Sequence, residues 1–211
     1  FLFQPSQCLR LHTMTDSILY TDHIAGRQGM SGEDAIHLPD DTVIDIPGSM
    51  VQYKQTIFKG QFTNTTSASL VQVTGLDCSI QPRFNDSLIL AQWQIHASAE
   101  HYQWQMKLRR DGSDIPGALG TAAGSRPPTT ALFNVYDGES SSLLKYIINR
   151  ISGMYLDSPA TTSTVTYQCW VGGYSNTLDS HVNRSPRFLD SGDGAYDTCP
   201  SSSLSLWEFR P

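Results

Sequence analysis

The sequence predicts an all-β protein, an antiparallel β-sandwich of jelly-roll type preceded by an extended N-terminal arm. Three observations carry this reading. Short apolar runs of period two recur from residue 46 onwards, each closed by Gly, Pro, Asn or Asp. No stretch requires a helix longer than about two turns. Charged residues are only 16% of the chain, below the roughly 25% usual for globular domains, and Ser and Thr are abundant, a composition that suits strands and their loops. The 211 residues are enough for one sizeable core, so a single main domain is expected over 48–211, with the arm over 1–47.

In the arm, short apolar groups (Ile18, Leu19, Tyr20 and Ile24, then Val43, Ile44 and Ile46) are separated by Gly, Asp and Pro. Ordering costs about 1–2 kcal/mol per backbone residue, which such clusters cannot offset alone. The arm is expected to order against a partner, or else to fold back along its own sandwich. The chain opens without Met, and Met14-Thr15-Asp16-Ser17 reads as a natural start, with residues 1–13 upstream of it. Those thirteen residues lack the basic start, apolar centre and small-residue cleavage site of a secretory signal.

Pro47-Gly48 marks the boundary, and strands are expected over 50–58, 70–73, 76–80 and 88–97. In the next run Tyr102, Trp104, Met106 and Leu108 share one face and His101, Gln103, Gln105 and Lys107 the other, the cleanest period of two in the chain. Arg110-Asp111-Gly112-Ser113 then reverses it, because Asp-Gly tolerates the positive φ of a tight hairpin. Lys107, Arg109 and Arg110 read as a solvated hairpin tip. Residues 115–130 form the longest connection, followed by a short strand over 132–136.

Residues 144–170 hold two alternating runs about a turn. Leu144, Tyr146 and Ile148 fall on one face before it, and Val165, Tyr167 and Cys169 on one face after it. At the turn, Pro159 fixes its own φ and pushes Ser158 out of the helical region. Asp157 and Ser158 are expected to bond local backbone amides, a role worth about 1 kcal/mol for Asp157. Gly172-Gly173-Tyr174-Ser175-Asn176 reads as a turn, 189–202 as a Gly/Asp/Ser-rich loop, and 203–209 as the closing strand. Roughly eight to ten strands result, the number of a sandwich or jelly roll.

Composition disfavours several functions. A formal net charge of −6 supplies no basic field for nucleic acid, and no run approaches the roughly 20 apolar residues needed to cross a bilayer. Cys8, Cys78, Cys169 and Cys199 are widely spaced, without C-x-x-C or zinc spacing, and read as free thiols. Asp190, Asp193 and Asp197 lack EF-hand spacing, and His96 and His101 read as solvated or hydrogen-bonded, so no metal or cofactor is expected. Nucleophile elbow, P-loop, dinucleotide fingerprint and zincin motif are all missing, and no enzyme is expected. Trp93, Trp104, Trp170 and Trp207 lie in strands, where core or subunit-interface burial is expected over a sugar platform. Tyr174, Asn176 and Tyr196 lie in loops, as candidate contacts for a receptor or partner.

Tyr155-Leu156-Asp157-Ser158-Pro159-Ala160-Thr161-Thr162-Ser163, followed by a Thr-Tyr strand, resembles a segment recurrent in virion structural proteins of tailed phages of cyanobacteria and other marine bacteria. The stretches 46–55, 73–80, 87–96 and 204–209 fit that pattern in order, and His181-Val182-Asn183-Arg184-Ser185 is similar to a short Asn-Arg-Ser stretch late in such chains. The likeness spans roughly 46–211. It implies a tail-fibre-like or head-decorating sandwich, assembled as a homotrimer in the host cytoplasm and displayed on the particle.

The resulting expectation is a non-enzymatic virion protein that meets the major capsid protein or a tail component through its arm, with Ile18, Leu19, Tyr20 and Ile24 as anchors. The chain has no heptad run, collagen repeat or β-helix unit to build a shaft. A capsid-decorating protein or short spike is therefore favoured over a receptor-binding tail fibre. A lectin or glycan-active enzyme on the same fold is the alternative from another class, with a host surface glycan as partner.

Overall fold

The alternation becomes eleven strands among the described residues, which are 46–65, 69–99, 102–135, 147–173, 179–186 and 198–211 of a computed structural model. The chain divides into two units, Phe1–Thr42 and Val43–Pro211, and every described residue belongs to the second. In order the strands are β1 (Met50–Phe58), β2 (Phe62–Asn64), β3 (Val71–Ile80), β4 (Leu88–Ala99), β5 (Tyr102–Arg110), β6 (Ser113–Asp114), β7 (Ala131–Val135), β8 (Asn149–Asp157), β9 (Val165–Gly173), β10 (Ser180–Val182) and β11 (Ser202–Phe209). Among the described residues a single 3₁₀ turn occupies Pro116–Ala118.

All pairings are antiparallel, in two sheets. The larger runs β1-β11-β4-β10-β2 with β8 on β4, and the smaller runs β3-β9-β5-β6 with β7 on β5. Because β8 covers one flank of β4 along Ile89–Ala97, both β11 and β10 must lie on the other, as two pieces of one strand position. The same reasoning joins β1 with β2 and β6 with β7. Counted by position, eight strands remain, in sheets ordered β1/β2, β10/β11, β4, β8 and β3, β9, β5, β6/β7. Except at the β5–β6/β7 hairpin, successive positions cross between the sheets as in a double Greek key, and the fold is a jelly-roll sandwich.

Asn183 holds the interrupted strand positions together. Its φ of 60°, which Asn tolerates better than most residues, turns the chain out of the sheet after β10. Its Nδ2 donates to Phe58 O (2.9 Å) and Gly60 O (2.8 Å), where β1 gives way to β2. Its Oδ1 accepts from Ser202 Oγ (2.6 Å), where β11 begins. The His-Val-Asn-Arg-Ser stretch is thus a buried stitch, with His181, Val182 and Asn183 wholly enclosed.

The core lies where the two inner faces meet. The larger sheet contributes Ile89, Ala91, Trp93, Ile95, Ile151, Leu204 and Leu206, and the smaller Val73, Leu76, Cys78, Ile80, Trp104, Met106, Leu108, Val165, Tyr167, Cys169 and Val171, all buried. From Trp104 to Leu108 on β5 and from Val165 to Cys169 on β9, the inward residues read from period two are the observed ones. At the hairpin tip Asp111 and Gly112 have φ of 51° and 77°, the two positive values that an Asp-Gly turn needs.

Four local expectations are corrected. The two strands expected over 70–73 and 76–80 are one, β3, bulged between Gln72 and Asp77 at Gly75, whose φ is 89°. The strand before the Pro159 turn begins at Asn149, so Ile148 precedes it, and Leu144 and Tyr146 lie outside the described residues.

Asp157 does not serve the turn. As the last inward residue of β8 it is buried between the sheets, where Oδ2 accepts from Tyr167 Oη (2.7 Å) and from Arg110 Nη1. The local side-chain bond of the turn is instead Ser163 N–H to Thr161 Oγ1 (3.0 Å).

Nor is the basic cluster a solvated tip, because strand parity divides it. Arg110 points inward to Asp157, while Lys107 and Arg109 point outward and share Asp114 at 2.7 and 2.6 Å. Arg109 also stacks over the Trp170 ring, 4.3 Å from its centroid.

Gly153 lies on the inner face of β8, opposite Trp93 on β4. A Cβ there would sit 2.5 Å from Cζ2 of the Trp93 ring, which is 4% exposed. Gly153→Ala is expected to lower stability by about 1–3 kcal/mol through overpacking. Urea unfolding checks this, and an unchanged midpoint would show that the ring is not held where it lies.

Candidate functional site

The outer face of the larger sheet is where the sequence departs from an ordinary solvated surface. Register aligns Tyr53, Trp207, Leu90 and Leu156 in one row across β1, β11, β4 and β8. The next row is Gln55, Ser205, Gln92 and Met154, and the third is Ile57, Ser203, Gln94 and Ser152. Tyr53, Ile57, Met154 and Leu156 are all exposed. A sandwich strand with one inner face normally turns polar residues outward, so an apolar row there calls for a partner.

Side-chain size shapes this face. Ser203 and Ser205 are small and sit on a central strand, flanked by Gln55 on β1 and by Gln92 and Gln94 on β4. The result is a trough of about 170 Å³ along β11, with Ser152 and Trp93 also bordering it. At one end the Tyr53 and Trp207 rings pack with centroids 5.1 Å apart at 43°. Ser205 Oγ accepts from Gln55 Nε2 (3.0 Å) and lies 3.4 Å from Tyr53 Oη, fixing one wall. The side chains of Gln92, Gln94 and Ser203 have no hydrogen-bond partner among the described residues.

Two other hollows are less well equipped. One of about 470 Å³ beside the smaller sheet is lined by Gln105, Ser125, Arg126, Pro127, Thr129, Leu132 and Gly173, and its Thr129 hydroxyl already bonds Met106 O and Ala131 O. Another, at the β1 margin between the sheets, is lined by Gln52, Lys54, Ser79, Ile80, Gln81, Arg83 and Thr164, with Gln52 committed to Gln81 O and Glu208.

The residues singled out in the sequence fall elsewhere. Ile18, Leu19, Tyr20, Ile24, Tyr174, Asn176 and Tyr196 lie outside the described residues, as do Cys8, His101, Asp190, Asp193 and Asp197. Trp93 and Trp104 are buried in the core, Trp170 is half-buried under Arg109, and Trp207 forms the end of the trough. His96 Nδ1 lies 2.9 Å from Ser201 O. Cys78, Cys169 and Cys199 are free thiols. Burial raises the Cys78 pKa, and burial with the charge of Asp77 pushes that of Cys169 up to about 12, the opposite of an activated nucleophile. Among the described residues no group of three His, Cys, Asp or Glu is placed to hold a metal, and no helix is long and apolar enough to cross a membrane.

Sequence reasoning missed two buried carboxylates. Glu208 is wholly enclosed, with its oxygens accepting from Gln52 Nε2, Arg83 N (2.6 Å) and Ser87 Oγ (2.5 Å), which pins the loop before β4 to the end of β11. Asp157 is the other. Both were legible by parity, since Glu208 shares the period-two face of Leu204 and Leu206, and Asp157 that of Ile151 and Tyr155. Compared with known proteins, the chain matches no family model and no curated protein.

Proposed function

We propose that this protein is a non-enzymatic virion structural component of a tailed phage, a capsid-decorating protein or short spike whose sandwich is displayed on the particle and whose residues 1–47 attach it. The likeness of residues 46–211 to phage virion proteins supports this reading, and so does the architecture by analogy, since jelly rolls recur in viral capsid and lectin domains. A receptor-binding tail fibre is the second reading, favoured by the trough over β11. Antibodies against the sandwich should label the surface of intact particles in electron micrographs, and label confined to the cell lysate would reject the virion role.

The observation that carries the structural role is the margin at β8. Among the described residues this strand pairs only with β4, so one side of its backbone is open. Its outward side chains Met154 and Leu156 are 63% and 49% exposed, and Ile147 just before it is also exposed. Edge strands of monomers are usually guarded by Lys, Pro or a bulge, and β8 (NRISGMYLD) carries neither Lys nor Pro. A second copy of the chain is the occupant proposed for this margin, within a homotrimer. Light scattering should give three times the 23.3 kDa chain mass. Met154→Lys with Leu156→Lys should yield a folded monomer, and a wild-type monomer at micromolar concentration would reject the assembly.

A further inference from the structure

We propose that the trough over β11 binds one neutral sugar ring of a glycan. This rests on the reading that the outer face of the larger sheet is displayed to a partner, and it gives that face a ligand chemistry. Apart from the Tyr53 phenol, the residues lining the trough carry no ionisable side chain. A charged ligand would find no counter-charge there, so a neutral one is selected. The amides of Gln92 and Gln94 each offer two N–H donors and an acceptor oxygen, and the Ser203 hydroxyl both donates and accepts. With no partner among the described residues, these groups are available to bond a ligand rich in hydroxyls.

The far end of the trough supplies the second half of sugar recognition. A pyranose has one face of C–H groups, and Tyr53 with Trp207 offers an aromatic surface to cover it. Gln55, held by its bond to Ser205 Oγ, forms a wall that needs no reordering on binding. A volume of about 170 Å³ matches five or six waters at the roughly 30 Å³ each occupies in the liquid. That suits a single ring and excludes a long buried chain. The site therefore reads one unit of a surface glycan, and several copies in a trimer would raise a weak single contact through avidity.

The test uses the full-length protein, labelled and applied to an array of neutral and anionic glycans, with calorimetric titration of the best neutral sugar. Binding is expected to neutral hexose-bearing glycans alone. It should weaken at least tenfold in Gln92→Ala and in Tyr53→Ser, both exposed positions, with the β-sheet circular dichroism spectrum and cooperative melting retained. Absence of wild-type binding to every neutral glycan would overturn the proposal. So would binding to anionic glycans alone, or binding that both substitutions leave intact. Particle labelling separates this from the virion reading. Labelled particles without neutral-glycan binding remove the trough alone, and Gln92-dependent glycan binding without labelled particles removes the virion role and keeps the trough.

Discussion

Asp157→Ala should destabilise the sandwich by about 3–5 kcal/mol, the usual cost of removing one partner from a buried ion pair. The carboxylate joins β8 of one sheet to β5 and β9 of the other, and its loss leaves the Tyr167 hydroxyl and the Arg110 guanidinium facing each other between the sheets. Burial, and after it Asp157, already raise the Tyr167 pKa well above the usual phenol range, so the hydroxyl stays protonated and needs its acceptor. The Arg110 side chain is 30% exposed and can partly rehydrate, which puts the expected loss near the lower end. At about 2–4 °C per kcal/mol for a domain of this size, the melting temperature should fall by roughly 10 °C. Asp157→Asn, which keeps an oxygen for Tyr167, should lose about half as much. A melt of Asp157→Ala that overlays the wild type would show that the bridge contributes nothing.

Acid should weaken the protein through His181 before Asp114 titrates. Burial, together with the charge of Arg184, lowers the His181 pKa from 6.5 to about 4, and its Nδ1 lies 3.1 Å from Thr63 Oγ1 inside the β10–β2 junction. Between those two values the unfolded chain takes up a proton that the folded chain refuses. Stability from this group is therefore complete above about pH 6.5, declines as pH falls, and is lost by about pH 4. The shift corresponds to about 3 kcal/mol at 1.36 kcal/mol per pH unit. Asp114, held below its usual pKa by Lys107 and Arg109, loses its contribution only at lower pH, beneath this window. Urea unfolding at pH 7.5 and pH 4.5 should show the difference, and His181→Gln should remove most of it. An equal pH dependence in the variant would place the titrating group elsewhere.

The candidate site shows how far alternation reaches. Tyr53, Gln55, Gln92, Gln94, Ser203, Ser205 and Trp207 can each be put on the outward face of its strand from period two alone. What period two cannot give is adjacency. β1 meets β11 across about 150 residues of chain and β11 meets β4 across more than 100, so the amides, hydroxyls and rings that form one trough are scattered through the sequence. The loop tyrosines stood out because an aromatic among Gly and Asn is locally conspicuous. A serine between two glutamines on neighbouring strands is not.

The sequence by itself determined the fold class, most strand positions, the Asp111-Gly112 turn and which side chains of β5 and β9 face inward, because period two and turn chemistry act over a few residues. It also held, unread, the inward parity of Asp157, Arg110 and Glu208. Only the tertiary structure decided their partners. A charged group on an inner face must find its counterpart on whichever strand packs opposite, and that depends on sheet order. The same holds for Asn183, whose amide spans from the end of β1 to the start of β11, and for Gly153, which lacks a side chain because Trp93 of the adjacent strand already fills that space. Local rules set the strands, and packing between distant strands set the bonds and contacts that make them one sandwich.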